Sequence, residues 1–365
     1  MKIKEKSISF LSVILSVLIC VSLFSIPAYA NETNELHTAA AIGYDYPIKP
    51  GTSSWNELID HTKMIEVSQI PDDTLKKLTT NELIETVLNY PLLMDIYAYD
   101  TLQQGIDVVS KTFNGIQELY QREDAPNKLI EKYQQMPVAK DTKTVTSNQI
   151  FDLSNMEIIL RQDEIQKKLN TSEAEKLEKE VENKYLQKQA QKNIYGLTAA
   201  SSYSVLAEKQ GINVGTMSSY TVYTPNGTAV QVDKSAEQLT SDEKKAADNY
   251  VADKYSSATL LSPATSIYNC HSYAWYSQST TNPYWMNYPN AYMTDGSYYQ
   301  SSSPSVGGKV YYSTAGNEHS GVVTSLGRLT GYYVTSKWGQ LGLVQHYYTT
   351  CPYYVSDSAL RYYYR

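Results

Sequence analysis

Past residue 250 the chain is almost uncharged and crowded with tyrosine. Twenty of its thirty-four tyrosines fall there, against only ten charged residues in the last 115 positions. Aromatic and β-branched residues punctuated by Gly and Ser suit a pleated, half-buried surface, so this stretch predicts short strands in an antiparallel sheet. The pattern places strands at 309–312, 320–326, 332–336 and 343–348. Upstream, residues 220–232 predict a hairpin. Pro225 pre-sets the first turn angle, and Asn226-Gly227 accepts the left-handed backbone that closes the turn.

The preceding half has the opposite character: it is charged, rich in Leu, Glu, Lys and Gln, and helical in its spacing. Thr79-Thr-Asn-Glu82 is a capping-box pattern, and Leu83, Ile84, Val87 and Leu88 follow it on one face before Tyr90-Pro91 ends the helix. Further helices are expected at 94–113, 116–122, 127–135 and 149–169. Ser172-Glu-Ala-Glu175 reads as the start of another, with Leu177, Val181 and Tyr185 four apart. Thr240-Ser-Asp-Glu243 repeats the capping box and predicts a helix to about Tyr255. The fold class is therefore α+β: an all-α helical region at 31–195, a Gly/Ser/Ala/Thr linker at 196–219, and an antiparallel-sheet domain at 220–365. Nothing in the helical region gathers catalytic residue types. His37 and His61 stand isolated and read as surface or cap histidines.

Residues 1–30 read as a secretory signal. Lys2, Lys4 and Lys6 precede an apolar run, and Ala28-Tyr29-Ala30 supplies a cleavage site before Asn31. The expected location is extracellular or cell-wall associated, with no membrane span after cleavage. A formal net charge of −7 argues against a nucleic-acid binder, which needs a basic face. Loss of Cys20 with the signal leaves Cys270 and Cys351, which an oxidising compartment can bridge.

Cys270 lies in Ser-Ile-Tyr-Asn-Cys-His-Ser-Tyr-Ala-Trp, residues 266–275. A nucleophilic thiol needs its pKa lowered, and a helix start or a neighbouring imidazolium does this. The segment from His271 to Gln278 is expected to form a short helix, with Cys270 in its first turn and Asn269 as N-cap. The base is expected on a rigid strand, and His319 opens one, forty-nine residues later. His271 adjoins the cysteine but projects about 100° away on a helix, which makes it a secondary candidate.

Cys270 at a helix start, then Gly308-Lys-Val-Tyr-Tyr312, then His319-Ser-Gly-Val-Val323, resembles the papain-like NlpC/P60 and CHAP superfamily of cysteine peptidases and amidases. The resemblance covers roughly residues 216–365. It implies Cys270 as nucleophile, His319 as general base, and Tyr268, just upstream, as a residue orienting substrate or oxyanion. It implies no cofactor and a peptide or peptidoglycan substrate. Two positions depart from the family pattern. Lys309 stands where members carry Asp, and the third catalytic position falls in Val334-Thr-Ser-Lys-Trp-Gly339. Ser336 and His346 are the alternatives for that third position, since the Lys337 cation cannot accept a proton from an imidazolium. Asn269 and Trp338 join Tyr268 as substrate-side candidates.

Other readings remain open on the sequence. A Cys270–Cys351 disulfide would close some eighty residues and stabilise the fold by roughly 4 kcal/mol, without any catalysis. The chain is then a secreted binding or adhesion module. The same fold also hosts toxin and acyl-transfer chemistries. A zinc site from Cys270, His271, His319 and Cys351 has suitable residue types but no metal-ligand spacing.

Overall fold

The computed structural model describes residues 42–141, 146–196, 218–234, 239–327 and 331–365. The predicted signal, His37 and most of the predicted linker lie outside the described residues. The described residues make one compact unit of helices and antiparallel sheet, an α+β architecture.

Nine strands are described: β1 Ser218–Tyr223, β2 Ala229–Lys234, β3 Thr259–Ser262, β4 Tyr299–Ser301, β5 Lys309–Thr314, β6 Asn317–Leu326, β7 Tyr332–Lys337, β8 Leu343–Tyr347 and β9 Leu360–Tyr364. The predicted hairpin is β1–β2, closed by a turn in which Gly227 has φ 89°. The other seven form one antiparallel sheet in the order β3-β8-β7-β6-β5-β9-β4. The strands expected at 309–312, 320–326, 332–336 and 343–348 are its centre, β5 to β8. The sequence pattern does not mark the flanking strands β3, β4 and β9, because each is short and lacks a run of alternating apolar residues.

Strand alternation gives this sheet two buried faces. Val310, Tyr312, Val323, Val334 and Val344 face the helical region and share one apolar core with its Trp55, Leu83, Ile96, Phe113 and Phe151. Val322 and Leu343 face the other way, onto the β1–β2 hairpin and a covering segment that includes Tyr268, Trp275, Met286 and Tyr292. The sheet is thus a middle layer, and the boundary expected between a helical and a sheet domain runs through a common core.

Local capping chemistry sets most helix starts. The Thr79 and Thr240 capping boxes both form, opening helices Thr80–Leu88 and Ser241–Lys254. The helix start expected at Ser172–Glu175 lies two residues earlier, where a capping box of Asn170 and Glu173 opens the helix Thr171–Gln189. The single helix expected at 94–113 is two elements, a 3₁₀ stretch Leu93–Ala98 and a helix Leu102–Thr112 restarted by a Thr101–Gln104 box. That break creates the turn at Tyr99-Asp100. His61 is neither a surface nor a simple cap residue: it is buried, and its Nε2 lies 2.9 Å from the Asp95 carboxylate, which also accepts from the Tyr250 and Tyr255 hydroxyls. Among the described residues no helix is long and apolar enough to cross a membrane.

Candidate functional site

Cys270 opens a short helical segment on the hairpin side of the sheet. The Tyr273 amide bonds back to the Asn269 carbonyl at 3.0 Å, an α-turn, and the Ser277 amide bonds to the Ser272 carbonyl at 3.0 Å, a π-turn. Wide turns of this kind recur at functional sites. Asn269 holds the start as expected: its side-chain oxygen accepts from the Ser272 and Met286 amides, both at 3.1 Å. Its side-chain amide donates to the Met286 carbonyl at 2.8 Å and to Asp100 Oδ1 at 3.0 Å. All four hydrogen-bonding positions of this buried amide are satisfied, which fixes the loop carrying the thiol.

Beside the sulfur lie a carboxylate and an imidazole. Asp100 Oδ1 lies 4.0 Å from Cys270 Sγ, and Asp100 Oδ2 lies 3.8 Å from His271 Nε2. His271 Nδ1 is 2.8 Å from the Ser320 hydroxyl, which also accepts from Trp275 Nε1 at 2.7 Å. The β6–β7 ladder begins at Val322↔Thr335, and before it the Ser320 backbone amide is given to the Cys270 sulfur. Cys270 is fully buried, and burial followed by the Asp100 charge pushes its thiol well above the usual value. The amides of Ser320 and His271 pull the other way without overcoming this. Burial also raises Asp100 to about 7 and lowers His271 to about 3. At neutral pH the resting state is a thiol beside a neutral imidazole.

His319 directly precedes Ser320, and alternation turns its ring to the opposite side of β6. It stacks on Tyr353, centroids 4.2 Å apart, with Tyr312 at 5.5 Å. The ring is fully buried, and among the described residues neither nitrogen has a hydrogen-bond partner. Burial first, and then the nearby His271 and His346, hold its pKa well below the ordinary histidine value. The two alternatives for a third catalytic position bond to each other: Ser336 Oγ lies 2.8 Å from His346 Nε2. Trp338 Nε1 donates to that same Ser336 oxygen at 3.1 Å, and the indole is fully buried between Tyr255 and His346.

Tyr268 is buried against Tyr273, with the Lys337 ammonium 5.4 Å from its ring centre. Lys337 is itself buried and donates to the carbonyls of Thr265, Gly339 and Leu341, tying the loop before Cys270 to the end of β7. Burial lowers it to about 7. Lys309 extends over the Tyr298 ring at 5.8 Å, and burial lowers it to about 8. Cys351 is buried, and both it and Cys270 are free thiols, so the bridge weighed on the sequence is not formed.

Two members of the cluster escaped sequence reasoning. Ser320 follows His319, and the sequence marks it only as part of the strand. Asp100 comes from the helical region, 170 residues before Cys270, and no motif marks it. A groove of about 740 Å³ between helices, walled by Gln103, Arg161 and Glu164 among others, does not reach this cluster. Comparison with protein-family models, with curated proteins and with solved structures finds no match to the chain.

Proposed function

We propose that the chain is a secreted cysteine hydrolase of papain-like type, cleaving an amide in a peptide or a peptidoglycan stem. One observation carries the reading. His319 is a fully buried imidazole whose two nitrogens have no hydrogen-bond partner among the described residues, one residue before the amide that donates to the Cys270 sulfur. Leaving a polar ring buried and unsatisfied costs about 1–3 kcal/mol, so such a group calls for a partner that arrives during function. In the proposed reaction the Cys270 sulfur bonds to the substrate carbonyl carbon while its proton passes to His319, a transfer that requires the His319 ring to leave its resting side of β6. The imidazolium then gives that proton to the departing amine, and water hydrolyses the thioester. The free state of both cysteines supports this reading over the bridged binding module.

The resting geometry is closed. Asp100 covers the thiol and Tyr353 covers the imidazole, so turnover requires both to yield to substrate. The test is hydrolysis of cell-wall stem peptides and of unstructured peptides by the reduced chain, Cys270→Ala and His319→Ala. Each variant is expected to lose at least about 100-fold in rate. Equal rates in all three would overturn the assignment.

A further inference from the structure

Cys270, His271 and Asp100 each present one metal-ligand atom, and the three atoms lie within 4.8 Å of one another. We propose that they form a zinc site, and that a bound ion takes Cys270 out of action. The ion-binding half stands on geometry alone, whereas the inhibitory half rests on the reading of Cys270 as a nucleophile.

Four features shape the site. A thiolate, an imidazole and a carboxylate form a donor set suited to zinc rather than to calcium or magnesium, which prefer oxygen alone. Tetrahedral zinc with bond lengths of about 2.0–2.3 Å sets its ligand atoms about 3.4–3.6 Å apart. Asp100 Oδ2 lies 3.8 Å from His271 Nε2 and Oδ1 lies 4.0 Å from Cys270 Sγ, and one atom from each residue falls within 4.8 Å of the others, so the three ligands must draw together as the ion binds. Outer contacts orient two of the ligands: Ser320 Oγ engages His271 Nδ1 and leaves Nε2 aimed at Asp100, and the Asn269 amide steadies the carboxylate. Finally, the Asp100 side chain keeps 15% of its exposure, which gives an ion a way in and a water a fourth position. Sequence spacing hid the site because two ligands are adjacent and the third comes from the other half of the chain.

Binding is an exchange of a proton for the ion. The thiol S–H bond breaks, the proton leaves to solvent, and the sulfur lone pair enters the metal bond. That pair is then no longer free to attack a carbonyl. Chelation restores it.

The experiment titrates the reduced, chelator-treated full chain with cobalt(II) and then with zinc(II). One equivalent of cobalt is expected to give a thiolate-to-cobalt absorption band in the near ultraviolet, which zinc abolishes. Cys270→Ser should lose the band. His271→Ala and Asp100→Ala, with folding confirmed by circular dichroism, should weaken affinity at least about 10-fold. Cys351→Ala and His319→Ala should bind as the parent does. No band in the folded parent chain, or a band that survives Cys270→Ser, overturns the site. Zinc binding without any hydrolysis overturns the proposed enzyme but not the site. Hydrolysis that persists under saturating zinc overturns the inhibition.

Discussion

Ser336 and His346 are alternatives by sequence and partners in the structure. The His346 ring bridges the Ser336 hydroxyl and the Tyr347 carbonyl, and burial holds it down at about 4. A group whose folded pKa lies below its unfolded value contributes stability above the unfolded pKa, about 6.5 for histidine, and that contribution is lost as pH falls toward the folded value. Between about pH 6 and 4.5 His346 should thus add a slope of about 1.4 kcal/mol per pH unit to the loss of stability on acidification. His271 and His319 act in the same direction. Asp100, raised to about 7, and Asp152, raised to about 6, act in the opposite one. Their balance makes the total slope a poor test, and a difference is better. Urea unfolding of His346→Gln, which keeps a donor and an acceptor, should be flatter with pH than the parent by about that one-proton slope. Parallel curves would show that His346 is not held neutral.

Among the elements, the turn from Tyr97 to Asp100 matters most. It docks on the sheet region through the Gln340 amide on the Tyr97 carbonyl at 2.9 Å, the Tyr353 hydroxyl on the Ala98 carbonyl at 3.1 Å, and the Tyr99 hydroxyl on the Pro352 carbonyl at 2.8 Å. Gly339 makes the approach possible: its φ is +43°, and a β-carbon there would fall 2.4–2.6 Å from the backbone of Tyr97, Ala98 and Tyr99. Gly339→Ala should destabilise the protein by about 3 kcal/mol or more, read as a drop in the urea midpoint, and should expose the Cys270 thiol to alkylation. An unchanged midpoint would mean the turn is not seated as described.

Sequence reading works at this scale where chemistry is local. The Thr79 and Thr240 boxes and the Asn226-Gly227 turn each depend on residues within four positions of one another. It fails where two local signals compete, as at Asn170 and Ser172, and where the deciding contact is remote. Asn269 as a cap and the helix start at Cys270 were legible. The Asp100 contact was not, since nothing near residue 100 records what lies 170 residues further on.

For the molecule as a whole, the decisive fact is that the sheet is buried on both faces. Val310, Val323, Val334 and Val344 pack against the helical region, and each fully buried side chain of that size contributes about 1.5–3 kcal/mol. A net stability of about 5–15 kcal/mol cannot absorb the loss of such a face. Residues 218–365 expressed alone should therefore fail to give a cooperative thermal transition, while residues 42–365 should unfold in one step by calorimetry. Two separate transitions in the longer chain would restore the division into independent domains.

The strand order also has a consequence in time. β9 lies between β5 and β4, and Tyr353, three residues past β8's short 3₁₀ extension, packs against both Tyr99 and His319. Contacts spanning some 250 residues form slowly, because a long loop must close before they repay its entropy. The cluster around Cys270 is thus sealed late. Until the segment from Tyr348 onward has docked, the two thiols meet solvent and oxidant, and the folding chain passes through a period in which it is chemically more vulnerable than at any moment afterwards.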